Sequence, residues 1–171
     1  MLHPSTELRP LEDGRGYGIF AMKLIPKGTI TWVLDSLDRV FLESEMDMLF
    51  ADFGSIIEGR IFKFGRRGIF FWDNAKYISQ SSQANCQGTA YGFEVAVCDI
   101  LPNMELTRDY DESTFRESES ILCGENAPDF KAANSEKDKR DILREALKNY
   151  YSVPQPLAPL LDISRLNRAQ T

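Results

Sequence analysis

Cysteine is scarce in this chain and its count is odd. Cys86, Cys98 and Cys123 show no Cys-x-x-Cys spacing, so neither a disulfide framework nor a zinc site is indicated. Histidine is rarer still: His3 stands alone near the terminus, where it is expected to be solvated. Positive charge is in deficit, with 20 Lys and Arg against 26 Asp and Glu and a net charge of −6. A nucleic-acid backbone needs a basic face, so that class of partner is disfavoured, whereas a basic protein or peptide is compatible. No apolar run approaches membrane-spanning length, and MLHPSTELRP lacks the charged and apolar regions of a signal peptide. A cytoplasmic protein without a membrane partner is the resulting expectation, with nuclear entry left open. No internal repeat is found, and nothing in the sequence reads on oligomeric state.

What is present is enough for one core. At 171 residues and 43% hydrophobic content, the chain has the length and composition of a single globular domain with an appendage. Gly14, Gly16 and Gly18 precede a β-rich run, a spacing that suits a tight turn or a loop whose amides converge on an anion. Pro26-Lys27-Gly28 is a turn signal, and Thr29 to Leu34 follows as a strand in a second hairpin-like unit. Ser44, with Asp47 three residues on, predicts a short capped helix. Leu42, Met46, Leu49, Phe50 and Phe53 form its apolar face, read as core. Gly65-Arg66-Arg67-Gly68 reads as a hairpin tip, with its arginines solvated, and Ile69 to Trp72 as the returning strand. Short strands and glycine turns at this density predict a mainly β body with short helices.

The stretch from Lys76 to Asp111 carries the candidate chemistry. KYISQSSQANC is a polar loop; it leads into TAYGFEVAVCDI, which alternates like a half-buried strand, and the stretch closes on ELTRDYD. Phe93, Val95 and Val97 fall on one face and Glu94, Ala96 and Cys98 on the other. Taken alone, this is either a site beside Tyr110 or a surface loop and a strand-end tyrosine. Beyond it, residues 112 to 135 read as irregular. A helix from Ser135 to about Tyr151 carries Ile142, Leu143, Ala146, Leu147 and Tyr150 on one face. Pro154, Pro156 and Pro159 then stiffen an apolar tail that is expected to wrap on the domain.

Three stretches, in order, resemble the motifs of the SET domain, the S-adenosylmethionine-dependent protein lysine methyltransferase family. GRGYGIF is similar to the family's glycine-x-glycine turn, KYISQSSQAN to its arginine-phenylalanine-x-asparagine-histidine-serine loop, and NMELTRDY to its glycine-glutamate-glutamate-leucine-threonine-aromatic-aspartate-tyrosine segment. The resemblance covers roughly residues 9 to 112 and implies a SET-domain (β-clip) fold of several small sheets over 1–112. It leaves 113–171 as a C-terminal segment, with its helix packed on the domain or acting as a lid. The implied activity is methyl transfer from S-adenosyl-L-methionine to a protein or peptide lysine. The residues implied are Tyr110 for catalysis, Gly16, Tyr17, Gly18, Lys76, Ser79 and Gln80 for the cofactor, Arg108 and Tyr77 for the lysine channel, and no metal.

Departures from the family pattern define the alternative. Ser79 stands for asparagine, Gln80 for histidine, Ala84 for proline, and Asn103-Met104 for the glycine-glutamate turn. Arg108 occupies a place where many members put an aromatic residue. Its guanidinium either enters the channel or turns outward to Asp109 or Asp111. The zinc-binding cysteine cluster that many members carry after the tyrosine is missing, since only Cys123 lies there. A catalytically degenerate SET domain serving as a protein-binding module therefore stands beside the enzyme, with another protein on a related β-clip scaffold as a third reading.

Overall fold

A computed structural model describes residues 1–12, 14, 16–57, 60–64, 67–89, 91–109 and 134–161. The described residues are mainly β, with three small sheets, short helices and a C-terminal helix. β1 (Thr6–Pro10) and β2 (Tyr17–Ala21) form an antiparallel hairpin that pairs Arg9 with Gly18. β4 (Arg39–Leu42), β5 (Ile61–Phe64) and β6 (Arg67–Phe70) make a three-stranded sheet with β6 central. The largest sheet joins β3 (Ile30–Val33), β7 (Ser79–Gln80), β8 (Cys86–Gly88), β9 (Phe93–Ala96) and β10 (Thr107–Arg108) in the order β3-β9-β8-β10-β7.

Several local expectations change. β3 does not close a hairpin with the preceding strand; it pairs antiparallel with β9, Ile30 opposite Val95. All four of its residues are buried, and a strand covered on every side requires partners from elsewhere in the chain. The N-terminal residues supply its other neighbour: Leu2 bridges Trp32 and the His3 amide donates to the Thr31 carbonyl at 2.8 Å. The Met1 amine donates to the Val33 carbonyl and lies 2.9 Å from Asp35. His3 is thus buried, not solvated, at 8% exposure, and its Nδ1 accepts from the Ser5 amide.

The helix α1 runs Glu43–Phe53, two residues earlier than the Ser44 cap predicts. Leu42 precedes it, and the Glu45 carboxylate accepts from the Leu42 amide at 2.7 Å, so an acidic first turn replaces a hydroxyl cap. Of the expected apolar stripe, Met46 packs with Phe41 and Ile61, while Leu42 and Phe53 remain exposed.

The main core lies between the hairpin and the large sheet, around Ile19, Trp32, Phe71, Ile78, Ala96 and Leu106. On the opposite face of β9, Val95 packs against Leu143 and Ala146 of α2 (Asn134–Lys148). Ile142, read with that stripe, is exposed. Both faces of β9 are therefore covered, so its alternation marks two interiors and not one dry and one wet side. The tail continues onto β3: Leu157 joins Ile30 and Val33, and the Gln155 side chain accepts from the Ile30 amide while donating to the Gly28 carbonyl, each at 2.8 Å.

Candidate functional site

A single turn of 3-10 helix, Asn74–Tyr77, delivers the polar loop, capped by Asp73, whose carboxylate accepts from the Ala75 amide at 2.9 Å. The chain then enters β7, which lies parallel to β10 with Ser79 opposite Thr107 and Gln80 opposite Arg108. β8 follows β7 after five residues, yet it flanks the other side of β10, with Cys86 opposite Arg108. Residues 81–85 therefore cross over a strand that arrives some twenty residues later. Consecutive strands usually lie side by side and connections rarely cover a later segment, so this crossing needs a specific tie.

Asn85 supplies the tie. It is buried; its side-chain nitrogen donates to the Glu105 carbonyl and its oxygen accepts from the Thr107 amide, both at 2.8 Å. The Asn85 amide in turn donates to the Thr107 hydroxyl at 3.2 Å. One amide side chain thus serves a backbone acceptor and a backbone donor where the ladder is only two residues long. Ser81 adds a bond from its amide to the Arg108 carbonyl at 2.9 Å.

The glycine turn adjoins the same segment. Phe20 bridges Glu105, and the Leu106 amide donates to the Ile19 carbonyl at 2.7 Å. The Tyr17 and Tyr77 rings meet edge to face with centroids 6.0 Å apart, and the Lys76 ammonium lies 5.4 Å from the centre of the Tyr77 ring. Gly16 has φ +108°, and a Cβ there would meet nothing within 4 Å. Gly18 is different: a Cβ at this position would lie 2.7 Å from Glu105 Oε1 and 2.9 Å from Leu11 Cδ2. The Ser79 hydroxyl donates to that same Glu105 oxygen. Gly18, Ser79 and Glu105 consequently share one spot.

Gln80 is exposed, Tyr77 half-buried, and Lys76 exposed. Arg108 is 1% exposed and turned into the core. Its Nε stands 2.8 Å from Glu94 Oε1, its Nη2 donates to Glu94 Oε2 at 3.0 Å, and the Phe62 and Phe71 rings lie 5.0 Å from its guanidinium carbon. Burial raises the Glu94 carboxyl, while Arg108 pulls it back down. Tyr110, Asp111 and Cys123 lie outside the described residues. Cys86 is buried against this pair, and desolvation, with Glu94 beside it, pushes its thiol up to about 12, leaving it protonated and without nucleophilic character near neutral pH. Among the described residues no group of three or more His, Cys, Asp or Glu is placed to hold a metal, and no helix is long and apolar enough to cross a membrane.

Three contributors carried no assigned role in the sequence: Asn85, Glu105 and Glu94. Glu105 offered the signal of a charge preceding a leucine that is fully buried, and Glu94 that of a lone acid within an apolar strand. Asn85 offered none beyond its place at the loop's end.

No protein-family model matches the chain, and the search of curated proteins returned no match. Among solved structures, the chain is similar to a crystal structure described as a "Plasmodium falciparum putative histone methyltransferase". The two are 12% identical, the match covers 64% of this chain and 96% of that one, and the TM-score is 0.48.

Proposed function

We propose that this chain is a SET-type methyltransferase that uses S-adenosyl-L-methionine to modify the side-chain amine of a lysine in a protein or peptide. The observation that carries the reading is the meeting of the glycine turn with the loop containing Ser79 against one segment, Glu105 to Asp109, which runs directly into Tyr110. The three stretches that resemble the family's motifs are far apart in the sequence and adjacent in space. Chance similarity of short motifs predicts no such convergence.

The residues suit the cofactor. The turn around Gly16 leaves open space beside its backbone, as a loop offering amides to a carboxylate requires. When bound, S-adenosylmethionine supplies an electrophilic methyl group on a sulfonium. The chain's own part is to bind, align and desolvate. A lysine with an ordinary pKa near 10.4 carries its proton at pH 7, and removing it costs about 4 to 5 kcal/mol. An apolar channel lowers that cost by disfavouring the ammonium, and alignment supplies much of the remainder. By resemblance Tyr110 orients the amine through its hydroxyl, and Tyr77 lines the approach. Arg108, ion-paired with Glu94 in the core, holds the strand that precedes Tyr110. This disposition favours catalysis over the degenerate alternative, because it keeps a guanidinium away from the incoming ammonium.

The alternative, a binding module without catalysis, draws support from Ser79, whose hydroxyl is engaged by Glu105 where the family's asparagine serves the cofactor. Calorimetric titration with S-adenosylmethionine separates the two. Micromolar binding supports the enzyme, and no binding at millimolar cofactor leaves only the module. With binding established, the Tyr110→Phe variant is expected to lose radiolabel transfer to lysate protein while keeping its cofactor affinity; equal transfer by the variant removes the role given to Tyr110.

A further inference from the structure

We infer that Glu105 is the anionic anchor for the α-ammonium of the cofactor's amino-acid moiety, with Ser79 as its positioning residue. This rests on the cofactor reading above and adds a contact that the motif resemblance does not assign. Glu105 is half-buried at the junction of the glycine turn and the polar loop. One of its oxygens is fixed from two sides: it accepts from the Ser79 hydroxyl, and it occupies the volume that any Cβ at position 18 would need. The backbone around it is fixed as well, by Asn85 at the Glu105 carbonyl and by the bridge to Phe20. The carboxylate is therefore pre-organised, which is the condition under which a charged contact adds affinity.

Its charge has no cationic partner among the described residues. Arg9, which faces Gly18 across the hairpin, is committed to Glu7 and to the Asn103 side chain at 2.9 Å. Lys76 lies over the Tyr77 ring, and Arg108 is paired with Glu94. Among the described residues this half-buried carboxylate has one neutral hydroxyl donor, Ser79, an arrangement that favours a cation with N–H donors. The cofactor offers one such group, its α-ammonium, and its carboxylate is then directed away from Glu105 toward the amides of the glycine turn. Ser79 thereby acts by holding the carboxylate in place through its hydroxyl.

The test is a binding cycle between protein and ligand, read by calorimetry and free of any activity assay. S-adenosylhomocysteine and its deamino analogue, which keeps the carboxylate but lacks the ammonium, are titrated into the full chain and into Glu105→Gln. The full chain is expected to prefer the amino ligand by about tenfold to a hundredfold, as for a charge-assisted hydrogen bond, and Glu105→Gln is expected to lose that preference with little change toward the deamino ligand. A preference of less than twofold in the unaltered chain overturns the inference without any variant. The same preference persisting in a folded Glu105→Gln also overturns it, and both of these results leave the cofactor reading standing. No binding of either adenosyl ligand to the unaltered chain overturns that reading and the inference together. Should Glu105→Gln fail to fold, Ser79→Ala replaces it: a severalfold loss for the amino ligand alone supports the positioning role, and an equal loss for both ligands overturns it.

Discussion

Arg108 and Glu94 form a buried ion pair, 2.8 Å from Nε to Oε1, enclosed by Phe62 and Phe71. Each is the other's reason for being inside. Glu94 sits in a strand covered on both faces, and Arg108 in a two-residue strand threaded between two others. Removing one partner leaves an uncompensated charge in the core. Arg108→Met is expected to lower stability by about 3 to 5 kcal/mol, measured as a shift of the urea midpoint at constant slope. The double variant Arg108→Met with Glu94→Leu is expected to be more stable than Arg108→Met alone, because neither charge then remains. A double variant as unstable as the sum of its parts contradicts the pairing.

Asn85 ties the crossing loop to the segment beneath it by bonds to both Glu105 and Thr107. Asn85→Ala leaves a backbone amide and a backbone carbonyl without partners in a region that water does not reach freely. A loss of about 2 to 3 kcal/mol is expected, together with faster hydrogen exchange at the Thr107 amide than at amides of the β1–β2 hairpin. Unchanged exchange at Thr107 means that the loop does not depend on this side chain.

Gly18 is held to glycine by its neighbour. In Gly18→Ala the added methyl meets Glu105 Oε1 at 2.7 Å, and the carboxylate cannot simply turn aside because Ser79 holds it. The expected stability loss is about 1 to 3 kcal/mol, with weaker binding of S-adenosylhomocysteine. At Gly16 the space is open and the constraint is the backbone, φ +108°, so Gly16→Asn is expected to be tolerated better than Gly16→Val. Thermal melts of the three variants decide the order.

His3 is the single histidine of the chain, which makes its titration separable. Burial lowers its folded-state pKa below the ordinary 6.5, so the neutral ring is favoured in the folded state and the unfolded chain takes up the proton first. Its contribution to stability is complete above pH 6.5 and is lost as pH falls from there toward the lowered value. Asp38 and Glu94, whose carboxyls are raised by burial, work in the opposite sense, with stability falling as pH rises above their unfolded values. The clean measurement is therefore a difference: midpoints for the unaltered chain minus those for His3→Gln, between pH 5 and 7.5. That difference is expected to grow with pH and to level off above 6.5; a flat difference indicates a solvated ring.

The sequence by itself determined what repeats locally: the glycine turn ahead of β2, the alternation of β9, the apolar stripe of α2 and the mainly β class. These are legible because period and turn chemistry are properties of a few neighbouring residues. The resemblance of three motifs likewise needs no coordinates. Only the tertiary structure decided that β3 pairs with β9, that His3 lies inside, and that Glu94 is an interior residue matched to Arg108. It alone revealed that Glu105 lies between Gly18 and Ser79, 87 and 26 positions away in the sequence. A side chain's partner across such a distance depends on which strands become neighbours. That choice follows from the packing of the whole chain and not from any window of it.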